Sequence, residues 1–444
     1  MLSGHTHSPC RLHPLPTTVD LEDSVKLAAR PAAPPIIALG GGVTLAGVLN
    51  LLRGSGIPVY SLCPESDFVR YSRRYRALPL RHANPRPTDL EAILESLDLP
   101  EAVLIPCSDD WLRAVAQLPA EFSTRFPSST PGSLVHTLVD KWRFAQLLER
   151  LDLPRPRTYL LSSRDQLDTL PEFDGGILKP LSSVDFASRH GVKGYMAANR
   201  KEALERLSGI DLPILIQEFI PGPPHAGYFL DGFRDRTGQI TAMFARRRLR
   251  MYPEKLGNST LTKSVPLAEV EGAVLCLKYL LEEVRYRGIF SAEFKYDQRD
   301  GILKLIEVNA RPWWYVDFAH RCGVDVCTMA YRDALGLPVA PILNYEIGRR
   351  CVFPINDLRA WRKEHRRGEA SVWSLLETWF RSDATPFHWN DPGPALNHLC
   401  DRLGRFLGNS FACRHSENDD RGRDAFDIQH RSRASSTLPT KLRS

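Results

Sequence analysis

Ser291-Ala-Glu-Phe-Lys-Tyr-Asp297, followed after a short turn by Lys304-Leu-Ile-Glu-Val-Asn-Ala-Arg311, reads as two adjacent strands carrying carboxylates, an amide and a guanidinium. Strand side chains alternate faces with period two. Glu307, Asn309 and Arg311 therefore project to one side, while Ile306, Val308 and Ala310 pack to the other. Asp300-Gly301 is a hairpin signal, and a hairpin there brings Glu293 beside Glu307 across the ladder. Two carboxylates so placed repel each other unless a cation sits between them. Mg²⁺ suits the inventory, because it takes hard oxygen ligands and shares its shell with substrate phosphates and water. The pattern predicts a metal-nucleotide site with Arg311 facing the phosphates. The same residues also fit the solvated face of an antiparallel hairpin, and the rest of the chain has to separate the two readings.

Upstream, Ile36-Ile-Ala-Leu-Gly40 reads as a buried strand running into the turn Gly40-Gly41-Gly42 and a helix over 44–52. A strand over 57–62, a helix over 88–97 and a strand over 102–106 continue the alternation of a parallel sheet, so residues 36–135 are expected to form a Rossmann-like domain. The glycines do not fit G-x-G-x-x-G, and no acid is placed for a ribose after the second strand, which argues against a dinucleotide. The turn is instead a candidate contact for another substrate. A second domain is expected over 136–340, in which a helix over 140–151 is followed by the stiff Leu153-Pro-Arg-Pro156. Its expected parts include a strand carrying Lys179, a polar loop ending in Gly191-Val-Lys-Gly194, a strand over 213–220 stopped by Pro221-Gly-Pro-Pro224, strands near 227–232 and 240–250, and a helix over 267–284. Residues 341–412 read as a helical extension without an assignable role, with helices over 372–380 and 395–406. Residues 1–35 read as a flexible leader and 413–444 as a disordered tail.

Composition excludes several classes. The 444 residues are 43% hydrophobic and 25% charged, ordinary for a soluble protein of two or three domains. A formal charge of +6 is spread over 58 basic and 52 acidic residues, with no concentrated stripe for nucleic acid. No apolar run reaches bilayer length and the start lacks a signal core, so neither membrane nor nucleic acid is expected as a partner and the location is expected to be cytoplasmic. Nine scattered cysteines without a Cys-x-x-Cys pair fit reduced thiols.

Taken in order, Lys141, Lys179, Gln217-Glu-Phe-Ile220, Glu293 and Glu307-x-Asn-x-Arg311 resemble the ATP-grasp superfamily, in particular its carboxylate-amine ligases, over about residues 36–337. The resemblance implies an α/β fold in which a Rossmann-like domain precedes two lobes with antiparallel sheets that hold ATP between them. It also implies that Lys141 and Lys179 reach the phosphates. Gln217, Glu218, Phe219 and Ile220 would form the strand that holds adenine, through backbone groups at Phe219 and Ile220 and a side chain near Glu218. Glu293, Glu307 and Asn309 would hold Mg²⁺, for which Mn²⁺ can substitute. The chain departs from the family in two places. Ser182-Ser-Val-Asp-Phe-Ala-Ser188 has no glycine before Gly191, and the acid that often follows the adenine strand is missing, leaving His225 or Asp231 as substitutes for holding ribose.

The chemistry implied is phosphorylation of a small carboxylate by ATP, followed by displacement of phosphate by an amine. Such a site needs no covalent nucleophile, only positioning and charge neutralisation. Arg311 is the candidate for the transferring phosphoryl and the later oxyanion. Arg246, Arg248 and Arg250 alternate onto one strand face, and Arg248 is the candidate for binding the acid or its acyl phosphate. A solvated strand face is the competing reading. Trp313, Trp314 and Tyr315 either line an acceptor pocket or pack beneath it. A carboxylase or kinase use of the same site, and a nucleotide-binding regulatory module without turnover, remain as alternatives. Oligomeric state is left open.

Overall fold

The computed structural model describes residues 33–80, 84–170, 175–181, 194–386 and 388–397. Nearly all of the leader, the whole tail, the loop residues 182–193 and most of the helix expected over 395–406 lie outside them.

Three sheets organise the chain. The first is parallel, in the order β2 (Val59–Leu62), β1 (Ile36–Leu39), β3 (Val103–Pro106). It is covered by the helices Gly42–Leu51, Leu90–Glu95 and Asp109–Gln117, as the strand-helix alternation predicts. Its glycine turn has an internal explanation. Asp67 accepts from the Gly42 N–H at 2.7 Å, and a Cβ at Gly41 would lie 2.1 Å from the Asp67 carboxylate. The anion-attracting start of helix Gly42–Leu51 is thus filled by the chain's own carboxylate, contrary to the expectation of a substrate contact there.

The second sheet is antiparallel, ordered β4 (Thr158–Leu161), β7 (Ile214–Glu218), β5 (Gly176–Pro180), β6 (Tyr195–Ala197). It owns a small core of Leu161, Leu178, Ile214 and Ile216 closed by Ala203 and Leu207 of the helix Arg200–Leu207. The third has seven strands, ordered β12 (Ile302–Asn309), β11 (Gly288–Asp297), β8 (Gly227–Arg234), β9 (Ile240–Tyr252), β10 (Asn258–Val265), β13 (Arg350–Val352), β14 (Asp383–Ala384), and all its pairs but the last are antiparallel. One face packs on the helix Glu271–Glu283 through Leu230, Ala245, Phe290 and Phe294. The other shares a core with the parallel unit, where Val48 and Leu49 meet Val316 and Phe318.

Strand β10 was not foreseen. Asn-Ser-Thr-Leu-Thr-Lys-Ser-Val looks polar, yet Ser259, Thr260, Thr262 and Ser264 are all buried. Their hydroxyls are satisfied by distant groups: Thr260 donates to Asp357 at 2.9 Å and Thr262 to the Arg247 carbonyl at 2.8 Å. The segment expected as a helical extension does carry helices, Pro354–Arg366 and Val372–Phe380, but it also supplies β13 and β14 to the large sheet.

Candidate active site

The hairpin closes as its sequence predicts. Gly301, at φ +74°, completes a turn in which its N–H donates to the Asp297 carbonyl at 2.8 Å. The register sets Glu293 directly opposite Glu307 and Ser291 opposite Asn309. One irregularity breaks strict alternation. The ladder steps from Glu307 to Leu305 while its partner steps from Glu293 to Phe294, so Ile306 is an extra residue. Such bulges re-aim neighbouring side chains and concentrate near functional sites. Val308 and Ala310 are buried as expected.

Across the cleft, β5 presents Lys179. Burial pushes its ammonium pKa down, while Glu307 and then Glu293 on the other sheet act in the opposite direction without prevailing. Lys179 donates to Gln217 Oε1 at 2.6 Å, and Gln217 in turn donates to Thr158 at 3.1 Å. Lys141 begins the helix Lys141–Arg150, whose N-cap Asp140 accepts from the Trp142 and Arg143 amides at 2.9 Å each. The cap aims Lys141 at the end of β5, where its Nζ lies 3.3 Å from the Pro180 carbonyl.

The arginines of β9 do alternate onto one face, but they form no open cationic wall. Arg246, Arg248 and Arg250 are all at least nine-tenths buried, and each bonds a carboxylate of the chain. Arg246 holds Asp231 at 2.7 Å, Arg248 holds Glu293 at 2.8 Å, and Arg250 holds Asp357 at 2.7 Å. Gly227 leaves room for Arg248, since a Cβ there would lie 3.3 Å from its Nη1. Asp231 is fully buried against Arg246 and Ser291, and burial raises its pKa against both, so it is not a ribose contact.

At the adenine strand, Glu218 accepts from the Arg157 amide at 3.0 Å and from Arg299 at 2.7 Å. Burial raises its pKa, these donors lower it, and the donors win. The Phe219 amide donates to the Gly175 carbonyl at 3.2 Å, so in this structure that N–H is spent within the chain instead of facing a base. Lys295 of β11 lies 5.1 Å from the Phe219 ring centre, and the Ile220 side chain is buried. The two antiparallel sheets thus meet at Glu218–Arg299.

Arg311 has a partner that the sequence did not reveal. Its Nε donates to Asp109 Oδ1 at 2.7 Å, its Nη1 to the Pro312 carbonyl at 3.1 Å and its Nη2 to Asn309 Oδ1 at 3.2 Å. Asn309 Nδ2 in turn lies 3.4 Å from Glu307 Oε1. A usable signal was present, because Ser108-Asp-Asp110 comes one residue after β3 and ligand-side residues of open α/β sheets gather at the carboxyl ends of strands. Trp313 and Tyr315 are buried in the shared core, as the packing reading expected, and Trp314 packs against Phe353 with the rings tilted by 32° and their centres 5.9 Å apart.

The donor set of Glu293, Glu307 and Asn309 is all oxygen, and two opposed carboxylates fit a hard divalent cation. Among the described residues no group of three or more His, Cys, Asp or Glu could hold an ion by itself. A cation here therefore needs further oxygens from phosphate or water.

No family model matches the chain. Over 245 residues it is 28% identical to a D-aspartate ligase of Enterococcus faecium, covering 52% of this chain and 58% of that protein. Over 231 residues it is 22% identical to the C-terminal section of the carbamoyl phosphate synthase large chain of Methanopyrus kandleri, covering 51% and 42%. The chain thus spans about half the length of the curated relatives it matches. Among solved structures, an ADP complex of N5-carboxyaminoimidazole ribonucleotide synthetase superposes with a TM-score of 0.56 at 14% identity, covering 75% of this chain and 85% of that one. An L-amino acid ligase of Bacillus licheniformis superposes with a TM-score of 0.51 at 13% identity, covering 70% and 79%. At these identities the superpositions speak for the fold. With its two antiparallel sheets beside a parallel one, the chain shares the fold of N5-carboxyaminoimidazole ribonucleotide synthetase and L-amino acid ligase, and over about half its length it is similar in sequence to a D-aspartate ligase.

Proposed function

We propose that the chain is an ATP-dependent carboxylate-amine ligase, which activates a small acid as an acyl phosphate and joins it to an amine. The observation that carries this reading is the pair Glu293 and Glu307 set directly opposite each other on one sheet, with Asn309 and Arg311 beside them, while Lys179 of the other sheet is held by Gln217. A cleft walled by one cation and two opposed carboxylates matches the charge pattern of a metal-bound triphosphate. Mg-ATP, when bound, supplies the phosphoryl group and neutralises its charge. Lys141 and Lys179 are assigned to the phosphate oxygens, Gln217, Glu218 and Ile220 to the base together with Phe219 through its carbonyl, its N–H being bonded to Gly175, and Glu293, Glu307 and Asn309 to the metal. Arg311 stabilises the transferring group and the oxyanion formed when the amine attacks. Arg248 steadies Glu293, and it can bind a substrate anion only by exchanging that bond. The likeness to a protein named D-aspartate ligase makes amino acids, aspartate among them, the first acids to try. A cytoplasmic location, where ATP and small acids are at hand, belongs to the same reading. Among the described residues no helix is long and apolar enough to cross a membrane.

The test is incubation with Mg-ATP, hydroxylamine and pools of small carboxylic acids, bicarbonate included, measuring acid-dependent ADP release and hydroxamate. Hydroxamate identifies the acid and the acyl phosphate. Nucleotide binding without acid-dependent ADP in any pool would favour a regulatory module and overturn the ligase reading. Arg311→Ala is expected to lower turnover by roughly 10² to 10³, the usual cost of removing one oxyanion donor, while ATP binding stays measurable. Unchanged turnover removes Arg311 from the mechanism.

A further inference from the structure

We propose that Asp109, from the parallel N-terminal unit, is the positioning residue for Arg311 and anchors a hydrogen-bonded chain that ends on the carboxylate of Glu307. The inference rests on the ligase reading of the cleft. The geometry behind it spans two sheets. Asp109 opens the helix Asp109–Gln117 at the carboxyl end of β3, 202 residues before Arg311, and the bonds run from Asp109 to Arg311, from Arg311 to Asn309 and from Asn309 to Glu307.

Three features separate this from an incidental surface ion pair. The Asp109 bond is to Nε, so together with the Nη1 bond to the Pro312 carbonyl it fixes the plane of the guanidinium and directs Nη2 at Asn309. Without Asp109 the Pro312 and Asn309 contacts remain, but nothing holds the Nε edge, and Arg311 is free to swing about its side-chain torsions. The environment also keeps Asp109 charged. Burial pushes its carboxyl up, while Arg311 first, then Arg113 and Lys141, pull it down and prevail. Finally, the bond joins an N-terminal helix to the strand end that carries Asn309, across 202 residues, and a planar guanidinium suits a carboxylate partner held in this way.

An arginine displaced by about 1 Å from its productive position can cost roughly 10²-fold in rate. Asp109→Asn keeps the shape and removes the charge. It is expected to lower kcat by about 10- to 100-fold, with KM for ATP and Mg-ADP affinity within about twofold of wild type. Added to Arg311→Ala it should cause no further loss, because both substitutions remove one action. Asp110→Asn, on the neighbouring exposed residue, is the control expected to behave as wild type. A thermal melt checks folding, and Asp109→Glu, which keeps the charge and shifts it by one methylene, is expected to recover part of the rate.

A second readout needs no turnover. The Arg311 Nε–H resonance, assigned by its loss in Arg311→Lys, should shift on adding Mg-ADP to wild type and be broadened in Asp109→Asn. Wild-type kcat in folded Asp109→Asn, or losses that multiply with those of Arg311→Ala, overturns the inference. If the wild-type protein binds Mg-ADP but turns over no acid, the ligase reading fails. The resonance then decides alone: the same shift in Asp109→Asn as in wild type overturns the positioning role.

Discussion

Truncating Asp357 to alanine is expected to destabilise the large sheet by about 3 to 5 kcal/mol, the range for breaking a buried ion pair from one side. The carboxylate is fully buried in the helix Pro354–Arg366. Its Oδ2 accepts from Arg250 Nη1 at 2.7 Å and from the Trp379 indole N–H at 2.8 Å, and its Oδ1 accepts from the Thr260 hydroxyl at 2.9 Å. Bonds to a charged partner contribute about 1.5 to 3 kcal/mol each, but their plain sum overstates the loss. Arg250 keeps Glu364 at 3.0 Å, which places the expected value near the lower end, about 3 kcal/mol. That is roughly a hundredfold in the unfolding equilibrium. Urea unfolding followed by tryptophan fluorescence is a direct assay, since Trp361 and Trp379 both lie in the helical segment that Asp357 anchors. Thr260→Val, which removes one of the three donors, should cost about 1 kcal/mol and serves as an internal scale. A loss below about 1 kcal/mol for Asp357→Ala would refute the view that this carboxylate ties the C-terminal helix to β9.

Two further outcomes follow from the same network of buried groups. Asp297 has a fully buried side chain and accepts from Arg299 at 2.8 Å and from Lys304 at 2.6 Å; the Arg299 bond, and then Lys304 against the effect of burial, hold its carboxyl well below the usual range. Its folded pKa lies below the unfolded value, so its stabilisation is present above about pH 4 and is lost as pH falls below that. Wild type should therefore lose unfolding midpoint as pH falls below about 4 more steeply than Asp297→Asn, and equal slopes there would count against the pairing. The six described cysteines, Cys63, Cys107, Cys276, Cys322, Cys327 and Cys351, are buried and free, and burial pushes the thiols of Cys63 and Cys107 up to about 12. A charged thiol reagent on the native protein should leave these six unlabelled, with all nine cysteines of the chain labelled after unfolding. Peptide mapping that finds rapid native labelling at Cys63 or Cys107 contradicts the packing around β1.

The arrangement gives the C-terminal segment a physical place. Its helix Pro354–Arg366 bonds Arg250, and Arg250 shares a strand face with Arg248, which bonds Glu293. A segment whose sequence carried no assignable role thus braces the strand that steadies one of the two opposed carboxylates. The buried row also explains why charged residues survive on a central strand. Each guanidinium is matched by a carboxylate from a different element, and leaving any one unmatched would be costly.

The sequence by itself determined what depends on local order. Alternation and the Asp300-Gly301 turn set the hairpin, its register opposed Glu293 to Glu307, and apolar runs marked β1, β3, β5 and β7. Local signals also placed Lys141 at the start of a helix and Lys179 on a strand. The tertiary structure alone decided how charges and hydroxyls are paired. Arg250 meets Asp357 across 107 residues and Arg311 meets Asp109 across 202, distances over which periodicity carries no information. Strand β10 escaped notice for the same reason: Thr260 and Thr262 donate to groups on a helix and on another strand, and Ser259 accepts from Arg248 Nε. A polar residue advertises the surface until the group that satisfies it is known, and only the order of the sheets brings that group into reach.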